Sequence, residues 1–182
     1  MILSVALRVL VLTVASLLWT GVLTSPVHAE GHWGFGTEAG FIGGTVDDTV
    51  FAIGANLDYY PDPSFSFGAM LQLAPVGDLT QIGIAAAARY HFRFNNGINL
   101  VPFLGFGLIH ADLNKGSGPT AIDRNDTSWY LPIGLSLEYQ VAQKLALTST
   151  LVVNLYDLNL SPSIPEHDHT SVALLFGFRW GP

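Results

Sequence analysis

Cysteine is absent from this chain and charged residues are scarce. Without cysteine there is no disulfide framework, and no cysteine to carry the lipid of a lipoprotein. The 182 residues include 7 Lys and Arg against 14 Asp and Glu, which excludes the basic surface of a nucleic-acid-binding protein. Although 49% of the residues are hydrophobic, no apolar run after residue 30 approaches the ~20 residues of a membrane-spanning helix. Such a composition fits neither an ordinary soluble domain nor a helical membrane protein.

The first 29 residues are typical of a secretory signal peptide. Arg8 precedes an apolar run over residues 9–18, and residues 27–29 form a small-x-small cleavage site. A membrane-anchoring helix is the alternative, but polar residues and Pro26 interrupt the apolar run before it reaches a full span. We therefore expect cleavage after residue 29, which leaves residues 30–182 as one exported domain.

Apolar and polar residues alternate in the second half of the chain. From Trp129 to Tyr139 the odd positions are all apolar or aromatic, whereas the even positions are mostly small or polar, including Ser136 and Glu138. A period of two predicts a β-strand with one apolar and one polar face. The pattern recurs, and it predicts strands at about residues 33–44, 49–60, 64–74, 80–92, 98–111, 127–140, 144–157 and 170–181.

The eight predicted strands indicate an all-β fold, an eight-stranded antiparallel transmembrane up-and-down β-barrel. Short turns alternate with longer connections, of which residues 112–126 and 158–169 are the longest. A soluble barrel with an apolar interior is the alternative, but it would need many Lys and Glu on the polar face, which is instead mostly Gly, Ala, Ser, Thr and Asn. An aromatic girdle is predicted near the strand ends, where the membrane interfaces favour such rings, at Trp33, Tyr59, Tyr90, Phe92, Trp129, Tyr139, Phe178 and Trp180.

Charged residues within the strands fall on the polar face, which in this fold lines the lumen. The candidates for an internal ion-pair network are Glu38, Asp58, Arg89, Glu138 and Arg179. Isolated charges in such an interior are costly, so we expect opposite charges to pair and to plug the lumen. Pro102 and Pro132 each remove a backbone donor from the closed sheet, and this predicts local bulges.

Three short motifs carry a resemblance to a known family. They are Pro-Phe-Leu-Gly-Phe-Gly at residues 102–107, Gly-Leu-Ser-Leu-Glu-Tyr at residues 134–139 and Phe-Gly-Phe-Arg-Trp at residues 176–180. With them the chain resembles the small outer-membrane β-barrels typified by the OmpA transmembrane domain and OmpX, the opacity-type barrels. The resemblance implies a monomer in the outer membrane with a plugged lumen, in contact with membrane lipid and lipopolysaccharide. It also implies that the C-terminal aromatic segment is presented to the outer-membrane assembly machinery.

Two polar motifs invite a catalytic or metal-binding interpretation. His169-Thr170-Ser171 is similar to the His-x-Ser of outer-membrane lipid A deacylases, but the strand phase predicts that His169 and Ser171 lie on the polar side, away from lipid. His167 and His169 could contribute to a metal site in residues 166–169, yet such sites need three or four convergent ligands and the stretch is also simply a polar loop. We predict no enzymatic activity, no metal and no cofactor.

The long connections are the segments best able to present a binding surface. We therefore expect a structural, adhesive or surface-interaction role through residues 112–126 and 158–169. A narrow channel or a carrier of small hydrophobic molecules is the alternative, followed by a lipid A-modifying enzyme. An eight-stranded barrel has an interior filled by side chains, which argues against a wide pore.

Overall fold

A computed structural model describes residues 31–45, 48–75, 79–115, 122–159 and 168–181. The predicted signal peptide lies outside these residues. The described parts form the strands β1 (His32–Thr45), β2 (Asp48–Asp62), β3 (Phe65–Ala74), β4 (Leu79–Tyr90), β5 (Phe92–Arg93), β6 (Ile98–Lys115), β7 (Ile122–Ala142), β8 (Leu145–Leu158) and β9 (Asp168–Trp180). Within them, no helix is long and apolar enough to cross a membrane.

Eight long strands close into a ring. Each pairs antiparallel with its neighbours in the chain, β9 pairs with β1, and β4 pairs with β6. The predicted eight-stranded antiparallel barrel is therefore confirmed. Because the strand number is even, Gly31 and Gly181 lie at the same end of the barrel, which we call the terminal rim; the opposite end is the distal rim.

The two-residue strand β5 is not one of the eight long strands that form the ring. It continues the line of β4. It pairs with β6 in the register that β4 uses, after a break at His91. In this register Pro102 lies across from the break, where it has no N–H to donate. The N–H of His91 instead donates to the carbonyl of Ser64 at 2.7 Å. No register shift occurs at Pro102 or Pro132, so the predicted bulges are wrong: the prolines interrupt the pairing and leave the register intact.

The outer wall is apolar and the inner wall is buried. On β7, Leu135, Leu137 and Tyr139 are 43%, 49% and 54% exposed, whereas Ser136 and Glu138 between them are buried. The other strands repeat this alternation, and β4 shows it along nearly its whole length. The outer face of the wall is thus apolar, which is the opposite of the polar outer face of a soluble barrel.

The hairpin of β6 and β7 extends further at the distal rim than the sequence predicted. β6 continues to Lys115 and β7 begins at Ile122, four to five residues beyond the expected strand ends. These outer segments pair with each other from Lys115 and Ile122 onward, while the pairing of β7 with β8 begins only at Tyr130 and Tyr156. The long connection expected at residues 112–126 is therefore largely a two-stranded ribbon.

The backbone pairing of β7 with β8 ends at Tyr130 and Tyr156. Between that point and the distal rim, side chains connect the two strands. The carboxylate of Asp126 accepts the N–H of Thr127 and the N–H of Asn159, each at 2.8 Å. The hydroxyl of Ser128 accepts the N–H of Asp157 at 3.1 Å. We call this region the side-chain seam, because polar side chains there replace the backbone ladder.

Candidate functional site

Four of the five predicted lumen charges form one cluster near the terminal rim. Asp58 accepts hydrogen bonds from Arg89 Nη1 and, at 3.0 Å, from Arg179 Nη1. Arg179 Nε lies 3.1 Å from Glu138 Oε1. Asp58 is completely buried and the other three are at most 5% exposed. This ion-pair cluster, Asp58, Arg89, Glu138 and Arg179, balances two positive against two negative charges in the buried interior.

Neighbouring side chains complete the cluster. Arg179 Nη1 also donates to the hydroxyl of Tyr60 at 3.4 Å, and the Arg89 guanidinium lies 5.5 Å from the centre of the Phe103 ring. His91 Nδ1 lies 3.9 Å from Glu138 Oε2, and its Nε2 lies 3.0 Å from the hydroxyl of Ser66. Sequence reasoning assigned these supporting residues no role in the cluster. The inward phase of Tyr60 and Ser66 was the available signal, but phase does not identify a partner across the lumen.

Glu38 lies one inward position further from the terminal rim than Arg179. In the pairing of β1 with β9, Glu38 faces Gly177 while Arg179 faces Gly36. The carboxylate of Glu38 accepts the hydroxyl of Thr150 at 2.6 Å, and Thr150 in turn lies 2.7 Å from the hydroxyl of Ser136. The structure therefore gives Glu38 a hydroxyl partner on β8 rather than one of the arginines, because the stagger of the strands sets it at another level.

Amides and tyrosines fill the next level of the lumen. Tyr130 Oη lies 2.9 Å from the amide of Gln72 and 2.8 Å from that of Asn154, which also bonds to Ser171 at 3.2 Å. One hydroxyl proton cannot serve two carbonyl oxygens, so one of these amides presents its NH₂ group to the tyrosine. The amide of Gln81 is buried beside a cavity of about 10 Å³ and has no hydrogen-bond partner among the described residues.

Apolar side chains close the interior toward the distal rim. These inward residues, each at most 7% exposed, are Ile42, Val50, Leu79, Ile109, Leu113 and Leu158. They contact one another as part of a single core with the alanines around them. The lumen is thus filled by ion pairs at one end and by hydrocarbon at the other.

The aromatic residues lie in bands on the outer wall. At the terminal rim the rings of Trp33 and Tyr59 have centroids 5.3 Å apart, and those of Tyr90 and Phe92 are 4.7 Å apart. Tyr139, Phe178 and Trp180 on the same band are 42–54% exposed. At the distal rim Trp129 is 44% exposed, and Phe41 and Phe51 form a second ring pair.

The residues of the His-x-Ser motif do not meet. Ser171 is buried in the lumen and bonds to Asn154, whereas the side chain of His169 is 62% exposed and its Nδ1 lies 3.3 Å from Asp157 Oδ1. The prediction that His169 lies on the polar side is wrong, because a register shift between Leu155 and Leu158 turns it outward. Among the described residues no three His, Cys, Asp or Glu side chains are grouped to hold a metal, and His167 lies outside them.

The comparisons with known proteins identify the fold. No protein-family model and no curated protein sequence matches the chain. A major outer membrane protein from Thermus thermophilus is 10% identical, with 85% of this chain and 100% of that one covered at a TM-score of 0.61. Neisserial surface protein A is 16% identical, with 84% and 97% covered at a TM-score of 0.59.

A third likeness is to Ail, the attachment invasion locus protein of Yersinia pestis. It is 11% identical, with 84% of this chain and 97% of that one covered at a TM-score of 0.54. At such identities a structural likeness establishes fold and leaves activity open. Together with the closed ring of eight antiparallel strands, these likenesses show that the chain has the fold of the small eight-stranded outer-membrane β-barrels.

Proposed function

We propose that this chain is an integral outer-membrane protein with a closed lumen, and that it acts through its distal rim in a structural, adhesive or other surface-interaction role. The proposal is carried by the contrast between the two faces of the wall. The outer face is apolar, whereas the charged side chains of the ion-pair cluster are buried inside. A charged or polar outer face is what water would require. Only a bilayer favours this arrangement over an area as large as a whole barrel.

The filled interior supports a role outside the lumen. Arg89 and Arg179 bridge the barrel through Asp58, and apolar side chains fill the space toward the distal rim. An eight-stranded barrel has room for its own side chains and little else. A narrow channel or a carrier would need both layers to open, so we place the function at the rims and not in the lumen.

The distal rim is acidic in sequence. The described strand residues at this rim include Asp48, Asp112, Asp123, Asp126, Asp157 and Asp168 against Lys115 and Arg124, and the sequence that links these strands adds Asp47, Asp78 and Glu166. One structure of Ail, with a TM-score of 0.50, is a complex with the heparin analogue sucrose octasulfate. A polyanion of that kind is repelled by an acidic rim, so we propose partners with cationic surfaces for this chain.

The proposed environment also defines the other partners. The apolar wall and its aromatic bands suit contact with outer-membrane lipid and lipopolysaccharide by a monomeric barrel. Phe176, Phe178 and Trp180 on β9 turn outward and are 42–55% exposed, which leaves them available to the assembly machinery as a C-terminal signal.

Single cysteines test the placement in the membrane, because the chain has none of its own. Asn125 on β7 at the distal rim and Asn95 at the terminal rim are both exposed. In intact cells, a membrane-impermeant maleimide is expected to label N125C and to spare N95C, which should be labelled only after the outer membrane is permeabilised. The protein should fractionate with the outer membrane. Recovery of the folded protein in the soluble periplasmic fraction, or labelling of N95C alone, contradicts the proposal.

Conductance measurements test the closed lumen. Purified protein inserted into a planar bilayer is expected to show no stable, reproducible channel, because both ends of the interior are filled. The conductance of an R89Q/R179Q variant, in which the cluster can no longer span the lumen, is recorded for comparison with that of the unmodified chain. Stable unit conductance from the unmodified chain overturns the closed-lumen proposal and favours the narrow channel.

A further inference from the structure

An apolar hollow lies on the outer wall of the barrel, where β3, β4 and β6 adjoin. Its volume is about 760 Å³, against about 10 Å³ for the cavity beside Gln81, so it has room for a group much larger than a water molecule. The outward side chains of Ala69, Ala86 and Ala88 form its floor. We call this depression the alanine hollow.

The register of the strands places small side chains beside large ones. Ala86 pairs with Ala69 on β3 and with Phe106 on β6. In the next outward row toward the terminal rim, Ala88 pairs with Phe67. Phe67 and Phe106 are 48% and 65% exposed, so both rings stand above the methyl groups between them. The alanine hollow is therefore a groove between two aromatic ridges and not a flat part of the wall.

On β4 the alanine hollow lies in the half of the wall nearer the terminal rim. The outward positions of this strand run from Tyr90, in the aromatic band of that rim, through Ala88 and Ala86 to Ile84. Residues 84–88 extend over ~13 Å of strand. This length is comparable to one leaflet, half of the ~30 Å hydrocarbon core of a bilayer.

The lining of the alanine hollow favours hydrocarbon as its occupant. All the lining residues are glycine, alanine, isoleucine, leucine or phenylalanine, so no side chain there carries a charge or forms a hydrogen bond. Within a bilayer, two apolar walls gain no hydrophobic driving force by meeting, and association of two barrels relies on close packing and on hydrogen bonds. The hollow offers no such bonds to a second barrel. A flexible chain fits the groove better, because its carbon atoms contact the floor and both ridges together.

We propose that the alanine hollow holds one acyl chain of a phospholipid from the leaflet at the terminal rim. The chain lies over the methyl groups of Ala86 and Ala88, between Phe67 and Phe106, and the headgroup of the same lipid reaches the aromatic band at Tyr90. A chain in the groove contacts protein on three sides, so it exchanges with the surrounding lipid more slowly than chains on the rest of the wall. The inference rests on the membrane placement proposed above and adds to it a defined lipid site.

Photo-crosslinking locates the bound chain directly. The folded protein is placed in vesicles of phosphatidylcholine that contain a small fraction of phosphatidylcholine with a diazirine in the middle of one acyl chain. After illumination and proteolysis, mass spectrometry identifies the residues that carry lipid. Cross-links to β4 and β6 in the alanine hollow are expected to be several-fold more frequent than cross-links to outward residues of β1 and β8.

Filling the groove decides whether the excess comes from the alanine hollow. A86F places a ring on the floor and is expected to remove the excess of cross-links. A39F makes the same change at an exposed position of the outer wall on β1 and should leave the excess in place. A86L fills less of the groove and provides the same test if A86F does not reach the folded gel mobility. An even distribution of cross-links around the unmodified wall, or the same excess in the filled variants as in A39F, overturns the proposal.

A second copy of the chain is the competing occupant, and single cysteines test it because the chain has none of its own. Rapid disulfide formation between I84C barrels in dilute vesicles, without similar dimers of A39C, assigns the alanine hollow to a second copy and overturns the acyl-chain proposal. Failure of the membrane placement gives another result, since lipid cross-links are then missing from the whole wall. Cross-links that are present but evenly spread contradict the lipid site alone.

Discussion

An Asp58→Asn variant is expected to lose about 3–5 kcal/mol of unfolding free energy, the cost of removing one partner from a buried ion pair. Asp58 is completely buried, and both of its carboxylate oxygens accept hydrogen bonds from arginines. Asparagine preserves the volume but removes the carboxylate that Arg89 and Arg179 share, and Glu138, which contacts Arg179, is the one carboxylate left in the cluster. The measurement is urea unfolding in phospholipid vesicles, followed by the gel mobility of folded and unfolded protein.

Asp157→Asn is the matched control for this prediction. Asp157 also pairs with a basic side chain, His169, but both side chains are about half exposed or more, so water screens the interaction. Exposed pairs contribute ~0–1 kcal/mol, and the control should unfold close to the parent. Similar urea midpoints for the two variants, with both near the parent, contradict the idea that the ion-pair cluster holds the barrel together.

A Leu135→Arg variant is expected to be destabilised by about 2–4 kcal/mol in a bilayer, the cost of a basic side chain at the midplane of a membrane barrel. Leu135 is 43% exposed on the outer wall, and on β7 it lies between the girdle residues Trp129 and Tyr139. The guanidinium therefore meets lipid hydrocarbon instead of water. The same urea titration in vesicles measures the loss.

Val141→Arg, further along the same strand, provides the comparison. Val141 is 47% exposed but lies beyond Tyr139, past the aromatic band of the terminal rim. An arginine near the interface costs ~0–1 kcal/mol, so the two variants should differ by several-fold or more in their folding equilibrium. Equal stability of the two variants shows that no hydrocarbon surrounds Leu135, and the membrane assignment then fails.

The strands could be predicted because a bilayer imposes a strict pattern on them. Where the wall faces lipid, each outward side chain must be apolar, and an error of one residue would expose every inward polar group. The extension of the hairpin was missed for the same reason. Residues 112–115 and 122–126 lie beyond this constraint, so their outward positions are polar and resemble a loop. The pairing of β6 with β7, and of β6 with β4 as far as Leu113, shows that the ladder continues there.

The arrangement of side chains in the lumen could be predicted only in part from the sequence. Strand phase places a side chain inside or outside, which sufficed to identify Asp58, Arg89 and Arg179 as inward charges. The partner of each depends on the stagger between strands, and no local pattern encodes that stagger. Glu38 therefore meets Thr150 rather than an arginine. The prediction for His169 is wrong for another reason. The register shift beside it reverses the face that strand phase assigns to this side chain.

The side-chain seam between β7 and β8 has a consequence for the way the cylinder opens. Where β7 and β8 pair through their backbones, separation of the two strands would expose many amides to lipid at once. At the seam, Asp126 and Ser128 hold β8 through single side-chain bonds in contact with water, where each bond is readily replaced. We therefore expect the wall to open more readily at this distal seam than where a backbone ladder joins the two strands. Local unfolding can begin there and stop at Tyr130, where the ladder to β8 starts.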